Sequence, residues 1–319
     1  MRWVAWIVMA WTALLCSSMA QAQAWPQHPI RVIVPYAAGG NTDNQARLVS
    51  ERLAVIFGQP FVIENRVGAG GAIAANYVAK APADGYTLFF TASSVVTLPL
   101  LQKVSFDPYL DFTPISIAGA NSLVVAIHRS VPATTLKEFI DYVKTRPGKL
   151  SYATGGNGSI GHLTAVMFNS RVGLDMVAIH YKGGSQAIVD LLGGQVQMYI
   201  GSPSELIQHA KGGNIRLIAV TEEKRTAEFP NLPAVAELYP GFHAGTWNGF
   251  LAPAATPKPI IAALAREIAR VVAEPGVIER LKAIGVDPVG NTPAEFADRL
   301  RSDAPMWRDA INAAGIKPE

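Results

Sequence analysis

The fold is decided by residues 31–47, RVIVPYAAGGNTDNQAR, where an apolar run leads into two glycines and then a polar segment. The apolar run predicts a buried strand. Apolar residues then recur every three or four positions from Ala46 to Ile56, which predicts a helix with one buried face. A strand, a glycine loop and a helix N-terminus in this order favour anion binding, because main-chain N–H groups and the helix dipole point at the same spot.

The same pattern recurs along the chain and predicts an α/β fold with parallel, helix-covered sheets. Strands are expected at 31–36, 61–65, 86–92, 122–128, 150–154, 176–181, 196–202, 215–221 and 248–253. Helices are expected at 43–57, 68–81, 135–144, 162–171, 186–194, 259–272, 276–284 and 293–311, the last interrupted at Pro305.

The strands fall into two blocks, which predicts two lobes. We expect one lobe from 25–122 together with 250–319, and the other from 123–249. The chain would then cross between lobes near 119–126 and near 245–252, and such double crossings form hinges that close around ligands. Periodicity alone leaves one continuous doubly wound sheet as an alternative.

The first 24 residues have the parts of a signal peptide: Arg2, an apolar stretch and small residues in A-x-A spacing. We expect cleavage after Ala22 or Ala24 and export to the periplasm. An uncleaved anchor is the alternative, although 3–15 is short for a membrane span of ~20 residues. Cys16 is the only cysteine and lies in this leader, so the mature chain would contain none. A chain without cysteine suits an oxidising compartment because it cannot form a wrong disulfide.

Composition argues against several classes of function. Net charge is +3 and the basic residues are scattered, so we expect no nucleic-acid binding. The six histidines lack metal-ligand spacing, and we expect no metal. Gly156-x-Gly158-x-x-Gly161 matches a dinucleotide fingerprint, but Asp175 precedes the next strand instead of ending it, so we expect no cofactor.

Several candidate residues have a local structural interpretation beside a functional one. Thr42 and Gln45 fit a helix capping box, and Asp43 is a common first-turn residue that could instead contact a ligand. His162, at a helix start, is more often structural than a base. Ser159 lies in a sequence like a nucleophile elbow, which keeps a serine hydrolase open, although Asn157 stands where that motif needs glycine.

A set of motifs resembles the extracytoplasmic solute receptors of the tripartite tricarboxylate transporter system, also called Bug proteins. The motifs are PYAAGGNTDNQAR, GQPFVIENRVGAGG, PADGYTL, YATGGNGSIGHL, YKGGSQAIVDLLGGQVQ and APAATPKPII. They occur in order and cover essentially the whole chain after its first 24 residues. Asn41 departs from the small or hydroxyl residue that family members usually carry after the double glycine.

The resemblance implies a two-lobe periplasmic binding protein of the type II-like, Venus flytrap kind. It would be a monomer without catalytic residues that closes on a small carboxylate and delivers it to a membrane permease. A secreted hydrolase using Ser159 and a ligand-presenting sensor remain alternatives. Glycine loops and resemblance together predict these ligand-binding residues: Tyr36, Ala38, Gly39, Gly40, Asn41, Thr42, Asp43, Ser93, Thr154, Gly158, Ser159, His162, Tyr181 and Gly183.

N-terminal sequencing of the exported protein tests the leader. We expect the mature chain to begin at Gln23 or Trp25, because these residues follow the two small-residue cleavage sites. A mature protein that still begins at Met1 would contradict this.

Overall fold

A computed structural model describes residues 25–226 and 229–313. The predicted signal peptide at 1–24, with Cys16, lies outside these described residues. Within them, no helix combines the length and the apolar character needed to cross a membrane.

The strands form two separate sheets, so the alternative of one continuous sheet is wrong. The strands are β1 (Ile30–Val34), β2 (Phe61–Asn65), β3 (Thr87–Ala92), β4 (Phe112–Ser122), β5 (Val124–His128), β6 (Ser151–Thr154), β7 (Val177–His180), β8 (Met198–Gly201), β9 (Ile215–Val220), β10 (Gly245–Pro253) and β11 (Asp287–Pro288). The first sheet has the order β11-β4-β10-β3-β1-β2, and the second has the order β7-β6-β8-β5-β9.

Each sheet is parallel only in part, which corrects the expectation of parallel sheets. Strand β1 is parallel to β2 and β3, but β10 is antiparallel to β3 and β4. In the second sheet β6 is parallel to β7 and β8, whereas β5 is antiparallel to β8 and β9. The antiparallel strands include those that lead from one sheet to the other. The alternation of strands and helices along the sequence does not reveal the direction of these strands.

Helices cover both sheets. They are α1 (Asn41–Phe57), α2 (Ala72–Ala79), α3 (Ser94–Leu101), α4 (Leu136–Lys144), α5 (Ile160–Val172), α6 (Gly184–Leu192), α7 (Pro203–Lys211), α8 (Val235–Leu238), α9 (Lys258–Val272), α10 (Pro275–Lys282) and α11 (Pro293–Ala313). The sequence patterns missed α3, α7 and α8 together with β4 and β11.

The chain passes between the sheets at two places. Leu123 alone separates β4, in the first sheet, from β5, in the second. The return runs from β9 to β10, and the expected lobe boundary at 249/250 falls inside β10. Each sheet has its own apolar core, so the protein consists of two lobes, which we call the first and second lobe after their sheets.

Helix α11 packs on both lobes. Phe296 and Leu300 belong to a core of the first lobe, whereas Trp307 and Ile311 belong to the core of the second. The predicted interruption at Pro305 is wrong, because the helix continues through it. Packing on either side of the proline fixes the helix axis, so the missing N–H does not end the helix here.

A buried carboxylate ties α11 to β10. Asp303 is 4% exposed, and its Oδ2 accepts a hydrogen bond of 2.7 Å from Trp247 Nε1. Its Oδ1 lies 2.8 Å from Arg299 Nε. Trp247 itself is 1% exposed, so its indole N–H has little access to solvent as an alternative partner.

We expect Asp303→Ala to lower the free energy of unfolding by about 1–3 kcal/mol, because the Trp247 N–H would stay buried without a partner. Urea denaturation measures this. The matched control is Asp298→Ala on the exposed face of the same helix, which we expect to change stability by less than about 0.5 kcal/mol. Equal effects of the two substitutions would contradict the assigned role of Asp303.

Candidate functional site

A cavity of about 70 Å³ lies between the lobes, at the carboxyl ends of β1, β6 and β8. Ligands of open α/β sheets bind at such strand ends. A water molecule needs roughly 10–15 Å³ of such space, so the cavity holds several waters or a small organic group. It is lined by Tyr36, Gly40, Asn41, Thr42, Ala92, Leu123, Gly155, Ser159, Ile160, Gly161, Gly184, Tyr199, Ile200, Gly201, Ser202, Glu205 and Thr246.

The first lobe contributes the N-terminus of α1. The N-cap is Gly40, and no side chain caps the helix, so the predicted capping box of Thr42 and Gln45 is wrong. Thr42 Oγ1 instead donates to Asn248 Oδ1 at 2.8 Å, and Gln45 Nε2 donates to Asn41 Oδ1 at 2.9 Å. The helix starts two residues earlier than a Thr42 cap requires, and Thr42 therefore lies inside the first turn, where it contacts the cavity and β10.

Asp43 faces away from the cavity and organises its own loop. Its carboxylate accepts hydrogen bonds from Gly39 N, from Arg47 and from Asn65 Nδ2, all at 2.8–3.0 Å. Burial acts to raise the pKa of Asp43, but the hydrogen bonds from these three partners outweigh it and lower the pKa below its ordinary value. The pattern left open whether Asp43 is structural, and its contacts are those of a structural residue.

The second lobe contributes the N-terminus of α5. Ser159 is the N-cap, and its Oγ accepts from His162 N at 3.3 Å. His162 Nδ1 accepts from Gly158 N at 3.2 Å, and burial, with nearby His180 as a smaller cause, lowers the pKa of His162 to about 4. The imidazole therefore supports the glycine loop, and its Nδ1 lone pair is not available to deprotonate Ser159.

Direct hydrogen bonds join the lobes around the cavity. Ala37 N donates to Lys182 O at 3.2 Å, and Thr97 Oγ1 donates to Gly158 O at 3.2 Å. Ser204 Oγ donates to Asn41 Oδ1 at 2.7 Å. The lobes are therefore in contact, as in a closed binding protein.

Glu205, in the first turn of α7, brings a carboxylate to the cavity. Its Oε1 accepts from Asn41 N at 3.1 Å across the lobes, and its Oε2 accepts from Tyr199 Oη at 2.9 Å. Burial raises the pKa of Glu205, while these two hydrogen bonds oppose that shift. Glu205 also touches Gly184 so closely that a side chain at position 184 would collide with it.

Two tyrosines of the cavity wall, Tyr199 and Tyr36, lie near this carboxylate. Tyr199 is 4% exposed, and burial, followed by the nearby Glu205, raises its pKa well above the ordinary value. Burial raises the pKa of Tyr36 to about 12, and its hydroxyl is hydrogen-bonded to Ser94 Oγ at 2.5 Å. Both phenols are therefore neutral hydrogen-bonding groups at physiological pH.

The structure brings together only part of the predicted set. Five predicted residues line the cavity: Tyr36, Gly40, Asn41, Thr42 and Ser159. Asp43, Thr154, Gly158, His162 and Gly183 support the loops behind it, and Ser93 reaches it through a 3.0 Å hydrogen bond to Thr246 Oγ1. Ala38 and Gly39 are exposed, while Tyr181 borders a separate interlobe groove of about 210 Å³ and donates to Asp190.

Sequence reasoning missed the β8–α7 junction, which supplies Tyr199, Ser202 and Glu205. A signal was present: Ser202-Pro203-Ser204-Glu205 follows a strand and has the S-x-x-E pattern of a helix start, with proline at the first helical position. This pattern predicts a further strand-loop-helix junction after residues 196–202. The contact of Glu205 with Asn41, 164 residues earlier, has no local signal.

Comparison with known proteins gives consistent matches over nearly the whole chain. Protein BugT of Bordetella pertussis is 36% identical over 300 residues, covering 93% of this chain and 92% of that protein. The structure of R. palustris Rpa4515 with adipate superposes with a TM-score of 0.90 at 34% identity, covering 92% of this chain and all of that one. Periplasmic binding protein BugD superposes with a TM-score of 0.89 at 33% identity, again covering 92% of this chain and 100% of its own.

These likenesses bear out the expected two-lobe binding-protein fold. The sequence profile of the tripartite tricarboxylate transporter family receptor matches residues 45–316. That range contains both sheets apart from β1 and, within the part of the chain that the structure describes, every helix apart from residues 41–44 of α1. The chain therefore belongs to the tripartite tricarboxylate transporter receptor family.

Proposed function

We propose that the protein is a periplasmic receptor that captures a small organic carboxylate between its lobes and passes it unchanged to a membrane permease of the tripartite type. The observation that carries this proposal is the interlobe cavity. Two helix N-termini, those of α1 and α5, reach it from opposite lobes, and its lining offers hydroxyls and main-chain N–H groups. The solved relative with adipate supports a carboxylate as ligand.

The same geometry explains how capture and closure would be coupled. Residues of the first lobe and residues of the second lobe face one cavity, so a ligand gains its full set of contacts only when the lobes meet. A ligand that binds the closed form better shifts the population towards that form. No bond in the ligand needs to change, since Ser159 caps a helix and His162 supports the loop.

The proposal covers what happens to the captured ligand, which is either delivered to a permease or presented to a membrane sensor. Delivery to a permease follows from the family, and presentation of the ligand to a membrane sensor would use the same closed form. Co-purification of the closed, ligand-bound protein with membrane proteins separates them.

We expect mature protein to be stabilised by about 2.7 kcal/mol when its ligand is present at roughly 100 times Kd. Adipate and related small acids are the first probes, and urea denaturation with and without each acid gives the shift. Mass spectrometry of the mixture should return each acid unchanged. Absence of any shift across mono-, di- and tricarboxylates would overturn the receptor proposal.

Ser159→Ala should weaken binding roughly two- to tenfold, because one neutral hydrogen-bonding group leaves the cavity wall. Isothermal titration of the stabilising acid measures the change. Ser170→Ala, at the exposed far end of the same helix, is the matched control and should bind as the unmodified protein does. A turnover of esters or amides that Ser159→Ala abolishes would instead support the hydrolase alternative.

Asp43→Asn should lower the free energy of unfolding by about 1.5–3 kcal/mol near pH 7, because the charged acceptor of three partners is lost. The folded pKa of Asp43 is below its ordinary value of 3.8, so its contribution is present above that value and is lost as pH falls through the folded pKa. The difference between the two proteins should therefore shrink as the pH falls below 3.8 and through the lowered pKa of folded Asp43. Asp141→Asn, in an exposed ion pair with Lys137, is the control and should change stability by less than about 0.5 kcal/mol.

A further inference from the structure

The charge of the cavity wall narrows the class of ligand. Among the described residues that line the cavity, Glu205 is the sole ionisable side chain with an ordinary pKa below 7, and no lysine, arginine or histidine is present. A ligand with two carboxylates would enter a site without a cation and with a carboxylate of its own. Like charges at short distance in a partly dehydrated site are unfavourable.

Glu205 occupies an anion position of the site. Its Oε1 accepts a hydrogen bond from the main-chain N–H of Asn41 at the N-terminus of α1. A main-chain donor at a helix N-terminus would otherwise bind a ligand carboxylate. Its Oε2 accepts a hydrogen bond from the hydroxyl of Tyr199. Both oxygens therefore accept hydrogen bonds, and these stabilise the ionised carboxylate against the burial that acts to neutralise it.

The opposite wall leaves room for a second anion. At the N-terminus of α5, Ser159, Ile160 and Gly161 line the cavity, and the helix dipole there favours negative charge. One wall thus carries a carboxylate and the other favours one. A molecule that satisfies both has a carboxylate at one end and a positively charged hydrogen-bond donor at the other.

We propose that Glu205 selects a ligand that carries a protonated amine as well as a carboxylate, so that the receptor takes amino-acid-type zwitterions in preference to plain dicarboxylates. The ammonium group donates to the Glu205 carboxylate, while the ligand carboxylate lies at the N-terminus of α5. Glu205 thereby supplies the one countercharge in the site. This inference rests on the proposed function.

The test uses matched acids that differ only in an amine against a hydroxyl: aspartate and malate, glutamate and 2-hydroxyglutarate, alanine and lactate. Isothermal titration of the mature protein, refolded to remove bound ligand, gives Kd for each, with succinate and adipate as acids that carry neither group. We expect the amine member of at least one pair to bind about tenfold more tightly, because charge-assisted hydrogen bonds are roughly twice as strong as neutral ones.

Glu205→Gln removes the charge at almost constant shape and should reduce that preference to less than about threefold. Glu205→Asp keeps the charge and should still bind the amine member of the pair more tightly than its hydroxyl partner. If the Gln variant does not fold, loss of this preference in the Asp variant would contradict the inference. Glu279→Gln, on the exposed face of α10, is the control and should leave the preference unchanged. Circular dichroism and thermal unfolding report whether each variant is folded.

The outcomes separate the two proposals. Binding of adipate, succinate or the hydroxy acids as tightly as the amines overturns the inference about Glu205 and leaves the receptor function standing. An amine preference that survives Glu205→Gln also overturns it. Failure of every acid to bind overturns the receptor proposal, and the inference falls with it.

Discussion

The hydrogen bond from the Asn41 main-chain N–H to Glu205 is the interlobe contact that determines the charge of the site. It joins the first turn of α1 in one lobe to the first turn of α7 in the other. The side chain of Asn41 adds a second link through Ser204. A helix N-terminus normally attracts an external anion, but here the facing lobe provides one. The cavity beside this contact is small, and the Glu205 carboxylate gives its wall a negative group before a ligand enters.

The lining of the cavity suits a protein that must bind and then release. Hydroxyls, main-chain groups and two neutral phenols contribute modest hydrogen bonds, each with a net worth of about 0.5–1.5 kcal/mol. Opening the lobes removes several of these contacts together, since they come from both sides. The affinity of such a site comes from many weak hydrogen bonds that form together only when the lobes are closed. Opening of the lobes is therefore enough to release the ligand.

The sequence allowed the two-lobe fold and a minority of the cavity-lining residues to be predicted, and the limits have physical reasons. The first glycine loop and the helix after it are local features, and the pattern predicted both, although the helix begins at Asn41 and not at Asp43. The position of Thr42 was misjudged because its partner, Asn248, is 206 residues away and competes with local capping. Glu205 was missed for the same reason. Residues whose role depends on the meeting of two lobes have no periodicity to reveal them.

Helix α11 gives the two lobes a connection besides the strands that cross between the sheets. Phe296 anchors one end and Trp307 the other, in different cores. Any rotation of the lobes must then either detach one anchor or bend the helix between them. Pro305 lies in that interval, and because it lacks an N–H the helix is least stiff there. A change in the angle between the lobes therefore has to be accommodated in this helix or in its packing, and Pro305 is the position at which the helix bends at the lowest cost.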